Sequence, residues 1–275
     1  MGKRHLAAVG FLFAALGLGL HSTLVAPRSL HVRHKTIALP RLPRAFDGYQ
    51  IAHLSDLHLG GLASGAEHAL AAAALRPDLF AVTGDLLDGL SMVDPAVSLM
   101  GTLHASDGAC YVLGNHEHYT FNRKPAALQA FTDRLGRSGV RTLVNEAASV
   151  ERDGTRLWFV GVDDPFMNHD DVLGAFAKVP YDEPSILLAH SPDVFLHLPP
   201  GRTDLVLTGH CHGGQVRTPW GPIVTRTRAK LPDVIGLHWI HGTPVNMSAG
   251  LGSTIPIRFL CPPEVTVLHL RCGTS

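Results

Sequence analysis

Ile51-Ala-His-Leu-Ser-Asp-Leu-His58 sets a largely apolar run against an Asp-x-His turn, and the same arrangement recurs down the chain. Leu79-Phe-Ala-Val-Thr83 leads into Gly84-Asp85, Ala109-Cys-Tyr-Val-Leu113 into Gly114-Asn115-His116, Ser185-Ile-Leu-Leu-Ala189 into His190, and Leu205-Val-Leu-Thr208 into Gly209-His210-Cys-His212. Short apolar runs followed by turn residues read as buried strands. In an open α/β sheet the loops at the carboxyl ends of such strands meet in one crevice. Asp56, His58, Asp85, Asn115, His190, His210 and His212 are therefore expected to converge.

Their chemistry suits a pair of cations. Two metal ions roughly 3.5–4 Å apart need one shared carboxylate, enough nitrogen and oxygen donors to offset their charge, and open positions for water and substrate. Asp85 suits the bridge. Imidazole nitrogens mixed with carboxylate and amide oxygens favour Mn, Fe, Zn or Ni, with Mn preferred, over Ca or Mg, which take all-oxygen shells. The four cysteines show neither a metal-ligand cluster nor a paired framework.

Taken together, Asp56-Leu-His58, Gly84-Asp85-Leu-Leu-Asp88, Gly114-Asn115-His116-Glu117, Ala189-His190 and Gly209-His210-Cys-His212 resemble, in order, the five blocks of the calcineurin-like metallophosphoesterases. The similarity runs from about Gly48 to Leu270. The stretch from Ser248 to Arg258, with Pro262-Pro-Glu264, is similar to the bacterial membrane-associated or exported branch. The resemblance implies an α/β fold, a four-layer α/β/β/α sandwich of two mixed sheets flanked by helices. It implies that Asp56, His58 and His212 bind one metal, Asn115, His190 and His210 the other, and that Asp85 bridges them. His116 is then a general acid or phosphoryl contact, and Asp88 fixes its tautomer, as imidazoles at such sites require. The implied reaction is attack of a metal-bridging hydroxide on a phosphodiester or pyrophosphate.

Most of the eighteen histidines need a plainer reading. His5, His21, His31, His34, His68, His104, His197, His238, His241 and His269 are taken as structural or surface residues, and His53 as a packed strand residue. His118 and His169 stay open, since either can face a substrate from a loop. Glu117 is read as a favourable charge at a helix start, Cys211 as packing, and Gly213-Gly214 as a tight turn. Arg258 is read either as a contact to an anionic substrate or as half of a surface salt bridge.

Length and composition fit one catalytic domain, residues 48–275, preceded by an apolar anchor or signal-like segment (1–27) and a basic linker (28–47). Helices are expected over Gly65–Leu75, Asp94–Leu103 and Pro125–Arg137, and short strands over Arg141–Val162 and from Leu237 onward. Behind Lys3-Arg4, Leu6–Leu20 is an unbroken apolar or glycine run. As a helix it is about 22 Å long, short of the roughly 30 Å hydrocarbon layer. A retained membrane anchor is the favoured reading, because cleavage after Ala26 would place Leu24 where a small residue is usual. The basic residues behind it favour the cytoplasmic face by the positive-inside rule or rest on anionic headgroups, whereas the signal-like start points outward.

The net charge is zero with histidines counted neutral, and no basic stripe with interleaved aromatics exists to track a phosphate backbone. Nucleic acid is thus disfavoured as the main substrate. A phosphorylated small molecule or a lipid-linked phosphate met at a membrane fits better, and the apolar Pro219–Leu237 stretch is expected to shape its entrance. Cleavage of a diacylated UDP-glucosamine is one such reaction. The alternatives are a phosphomonoesterase, a dinuclear amidase and a non-catalytic metal-binding membrane protein.

Overall fold

The computed structural model describes Phe13 and residues 15–273. Its strands are β1 (His31–Leu39), β2 (Gln50–Leu54), β3 (Leu79–Thr83), β4 (Ala109–Val112), β5 (Val140–Thr142), β6 (Glu146–Arg152), β7 (Thr155–Gly161), β8 (Ser185–Leu188), β9 (Leu205–Thr208), β10 (Arg217–Thr218), β11 (Gly221–Pro222), β12 (Gly236–Ile240), β13 (Thr243–Met247) and β14 (Glu264–Cys272). The helices are α1 (Ala66–Ala73), α2 (Val93–Met100), α3 (Asn115–Thr120), α4 (Pro125–Arg137) and α5 (Val172–Ala175). One six-stranded sheet runs β1-β14-β2-β3-β4-β5 and the other β12-β13-β9-β8-β7-β6. Both are mixed: β2 to β5 are mutually parallel with β14 antiparallel to β2, while β13, β9, β8 and β7 are parallel and flanked by antiparallel β12 and β6.

The layering follows from the pleat. Successive side chains of a strand point to opposite faces, so Ile51, Leu79, Ala81 and Val112 turn inward to meet Phe159, Ile186, Leu188 and Leu207 of the second sheet. Their neighbours Ala52, Phe80, Val82 and Tyr111 turn outward under α1, α2 and α4, which bury Ala69 and Ala72, Leu99 and Met100, and Phe131 and Leu135. On the far side Val160, Leu187 and Val206 pack under α5 and the turn Pro192–Leu196. Covered on both faces, the central strands need no polar alternation, which is why they are continuous apolar runs. The expected α/β/β/α sandwich is the fold observed.

The stretch expected as a basic linker holds β1, an edge strand parallel to β14. Its sequence, His31-Val-Arg-His-Lys-Thr, hides it: a mostly exposed edge needs no apolar run, and charged side chains there discourage pairing with another chain. Those charges are engaged within the domain. Arg33 pairs with Glu264 at 2.5 Å, and Arg41 grips both oxygens of Asp204 at 2.7 and 2.8 Å. The headgroup role expected for this flank does not suit these two residues. The anchor segment lies largely outside the described residues; among those described, no helix is long and apolar enough to cross a membrane.

Strands β2, β3, β4, β8 and β9 deliver their carboxyl ends to one place, and the loops there approach so closely that glycine is required. A Cβ on Gly209 would stand 1.9 Å from Ser55 Oγ and 2.3 Å from Asp56 Oδ2, and one on Gly114 would stand 2.4 Å from Asp85 Oδ1. Gly136, near the end of α4, faces open space. Thermal denaturation is therefore expected to show Gly209→Ala destabilised by about 1–3 kcal/mol, as overpacking costs. Gly136→Ala is expected to be stabilised by up to about 0.5 kcal/mol, the lower end of what a mid-helix glycine costs, because it lies in the last turn. Equal behaviour of the two variants would contradict the close approach.

Candidate metal centre

All seven expected ligand side chains meet at these loop tips. Asp56, His58, Asp85, Asn115, His190 and His210 are buried, and His212 is nearly so. Asp56, His58 and His212 form one group with donor atoms within 4.8 Å of one another, and Asp85, His190 and His210 form another. His212 Nε2 is 3.4 Å from Asp56 Oδ1 and 3.2 Å from His58 Nε2. His190 Nε2 stands 3.1 Å from both His210 Nδ1 and Asn115 Oδ1. Asp85 Oδ2 lies between the groups, 3.2 Å from His190 Nε2 and 3.7 Å from His58 Nε2.

This donor set fits cations. Facing imidazole nitrogens cannot all be joined by protons, whereas ligands about 2.0–2.1 Å from one ion in a tetrahedral array stand roughly 3.3 Å apart. Their outer nitrogens are held as ligating imidazoles require: His190 Nδ1 donates to the Thr83 carbonyl at 2.9 Å, and His58 Nδ1 to Asp88 at 2.9 Å. The backbone is strained at the same places. Asp56, His58, Asp85, His210 and His212 have φ of 53°, 46°, 51°, 68° and 49°, a left-handed region that residues with a Cβ enter at a cost and that clusters at functional sites.

The charges point the same way. Burial pushes the His210 imidazole down to about 3, helped by the charge of His190, and burial with the charge of His58 holds His212 well below its ordinary value. Both are neutral, hence ready to donate a lone pair. Burial opposes ionisation of Asp85, but His190 beside it prevails and keeps the carboxylate far below the usual range; reciprocally, Asp85 outweighs burial and holds a proton on His190. Burial, then the like charge of Asp85, raises Asp56 despite the favourable pull of His190. Without metal, the centre takes up protons where cations fit.

His116 stands beside this group. Its Nδ1 donates to Asp88 at 2.7 Å, its Nε2 is 3.9 Å from Asp85 Oδ2, and its side chain is 25% exposed. Burial works against the imidazolium, yet the hydrogen bond to Asp88 and the charges of Asp85 and Asp88 win and raise its pKa to about 9. Burial likewise opposes the Asp88 anion, but hydrogen bonds from His116 and His58 take it down to about 2. Asp88 thus orients two imidazoles, where the sequence suggested one.

Other residues have roles that the sequence reading missed. Glu117, read there as a helix-dipole charge, is wholly buried and accepts from the amides of Gly114, Asp85, Leu86 and Leu87, tying the β3 and β4 loops together. Arg258 neither reaches outward nor forms a surface salt bridge. It is 1% exposed and donates to the carbonyls of Ala249, Gly250, Gly252 and Cys261, bracing the loop that lies over Asp56. An Arg after a glycine-rich loop carries a hint of this, because many carbonyls lie exposed there. Cys211 and His53 pack as expected, and His118 and His169 meet each other beside Asp163.

A fold with two facing mixed sheets and a carboxylate shared by two His-rich groups at their strand ends defines a metal-dependent hydrolase class. The sequence profile of the calcineurin-like phosphoesterase family matches residues 49–214, and the chain belongs to that family. It is accordingly a phosphoester hydrolase. It is 30% identical to the uncharacterized metallophosphoesterase YkuE of Bacillus subtilis, over 96% of this chain and 93% of that protein. It is 25% identical to the UDP-2,3-diacylglucosamine pyrophosphatase LpxG of Chlamydia trachomatis, over 90% of each. Among solved structures, the NAD nucleotidase of Haemophilus influenzae shares the fold, with TM-score 0.52 and 14% identity over 74% of this chain and 46% of that one.

The His116–Asp88 pair has a measurable signature in chelator-stripped protein. A pKa raised from 6.5 to about 9 on folding gives stability that is complete below about pH 6.5 and fades as pH rises through about 9. Asp88→Asn is expected to flatten the thermal-denaturation midpoint across that window. The same pH profile in both proteins would contradict the pairing.

Proposed function

We propose that this chain hydrolyses a diphosphate or phosphodiester bond in a lipid-linked substrate at a membrane surface. Asp56, His58 and His212 would hold one divalent cation and Asn115, His190 and His210 a second, with Asp85 between them; manganese suits this mix of imidazole and oxygen donors. Two such ions supply Lewis-acid charge for the phosphoryl oxygens and activate water near neutral pH. The remaining work falls to the chain. Asp88 orients His116 through Nδ1, leaving the Nε2 proton to pass to the departing oxygen.

The observation that carries the substrate class is the cavity beside these residues, about 650 Å³ in volume. Its floor is Asp85, Asn115, His116, His210 and His212, and its walls include Val216, Ile223, Val224, Ile255 and Ile257, with Arg226 the charged group among them. A polar floor under an apolar wall suits a phosphate joined to hydrocarbon. The walls themselves lie open to solvent: Ile223 is 64% exposed, Val224 63% and Ile255 53%. The amide of Arg258, in the same loop as Ile255 and Ile257, donates to the Ser22 carbonyl at 2.9 Å. That bond places the N-terminal helical segment, with Leu16, Leu20 and Leu24 exposed, next to this loop. An apolar rim of this kind suits lipid. The similarity to a pyrophosphatase of diacylated UDP-glucosamine supports the same reading.

Manganese-loaded protein is expected to cleave a diacylated nucleotide-diphosphate sugar in detergent micelles with kcat/KM at least about tenfold above its deacylated counterpart. Burial of two methylenes, at roughly 0.8 kcal/mol each, suffices for that factor. Equal values would overturn the lipid-linked reading. His116→Ala is expected to lower kcat by about 10²–10⁴, the usual worth of a general acid, while keeping its metal content.

A further inference from the structure

We propose that His118, Asp163 and His169 form a third divalent-cation site, separate from the Asp85 centre, which clamps α3 to the loop after β7. One donor atom of each lies within 4.8 Å of the other two, the closeness that also groups the residues of the main centre. His118 Nε2 is 2.7 Å from Asp163 Oδ1 and 3.3 Å from His169 Nδ1. The two rings meet edge to face, with centroids 4.3 Å apart and planes at 80°. One proton on His118 Nε2 can point at the carboxylate or at the second imidazole, but not at both. A cation serves all three donors at once: the His118–His169 separation of 3.3 Å is about the edge of a tetrahedron of ligands around zinc, and the His118–Asp163 separation of 2.7 Å, a hydrogen-bond distance, has to widen by about half an ångström to match it.

The loop is held for this arrangement by Asn145. Its Oδ1 accepts from the amides of Asp163 and Asp171, each at 2.9 Å, and its Nδ2 donates to the His169 carbonyl at 3.0 Å. Both ends of the segment that carries two of the three donors are thereby fixed before any ion arrives, the preorganisation that a metal site needs from its surroundings. The His118 and Asp163 side chains are each 13% exposed and His169 is open to solvent, so water can complete the coordination. Two imidazoles and one carboxylate select zinc or a neighbouring transition ion over calcium or magnesium.

The site bears on the hydrolytic centre through one loop. Phe166 packs against the His210 ring with centroids 4.5 Å apart. Arg228 donates to the Pro165 carbonyl at 2.7 Å and to Asn168 Oδ1 at 2.8 Å, while its Nε reaches Asp193 at 3.0 Å. A cation on His118, Asp163 and His169 would hold the remaining side of this loop and keep Phe166 against His210.

The full chain, stripped with chelator and dialysed against zinc, tests the clamp by metal content per chain. Wild type is expected to retain one zinc more than His169→Ala, which alters an exposed residue, and one more than His118→Ala. Equal zinc in all three proteins would overturn the site. Hydrolysis of bis(p-nitrophenyl) phosphate by the same proteins, stripped again and loaded with manganese, separates this inference from the catalytic reading. Hydrolysis with equal zinc contents removes the clamp and leaves the hydrolase, whereas a zinc difference without hydrolysis leaves the clamp and removes the phosphodiester reading.

Discussion

A carboxylate shut away from water has to be surrounded by positive charge or give up its own, and Asp85 is that carboxylate here. It is 2% exposed and lies within reach of His58, His116 and His190. Desolvation of a lone anion costs several kcal/mol even after relaxation, so the neighbourhood has to answer it. In the bare protein a proton on His190 does so; in the loaded protein, two cations would. The fixed Nδ1 atoms of His58 and His190 and the neutral imidazoles of His210 and His212 are parts of one response to this buried charge, while Glu117, a second buried acid, is held by backbone amides instead.

Two facing sheets make that concentration of charge buildable. Parallel strands deposit their loops on one edge, so residues more than 150 positions apart meet without any long excursion of the chain; His58 and His212 are an instance. Rigid apolar layers beneath resist the strain of left-handed backbone at Asp56, Asp85 and His210. Glycines behind the ligand positions remove the atoms that would hold the loops apart. The apolar rim and the loop bearing Phe166 then decide what can approach, a division between fixed chemistry and variable access common in α/β enzymes.

Much of this is legible in the amino-acid sequence itself. Buried parallel strands have a plain signature, because nothing polar interrupts them, and β3 and β9 have the residue bounds that their apolar runs suggest. The convergence of Asp56 through His212 followed from where those runs end. What escaped reading depended on tertiary context. β1 carries the basic, half-polar composition of an exposed edge and looks like a linker until β14 is beside it. Arg258 is hidden because only the folded loop reveals carbonyls aimed inward. Glu117 resembles an ordinary helix-start acid, since the amides it gathers come from a different strand. His118 and His169 could not be assigned because fifty-one residues separate them in the chain.

We propose that one oxygen-bearing side chain, Asp85, is shared by two metal ions. Anomalous diffraction from crystals of manganese-loaded protein tests it most directly. Two peaks roughly 3.5–4 Å apart, one beside Asp56, His58 and His212, the other beside Asn115, His190 and His210, with Asp85 touching both, are the result expected. A lone peak, or a pair that leaves Asp85 uncoordinated, would contradict the account.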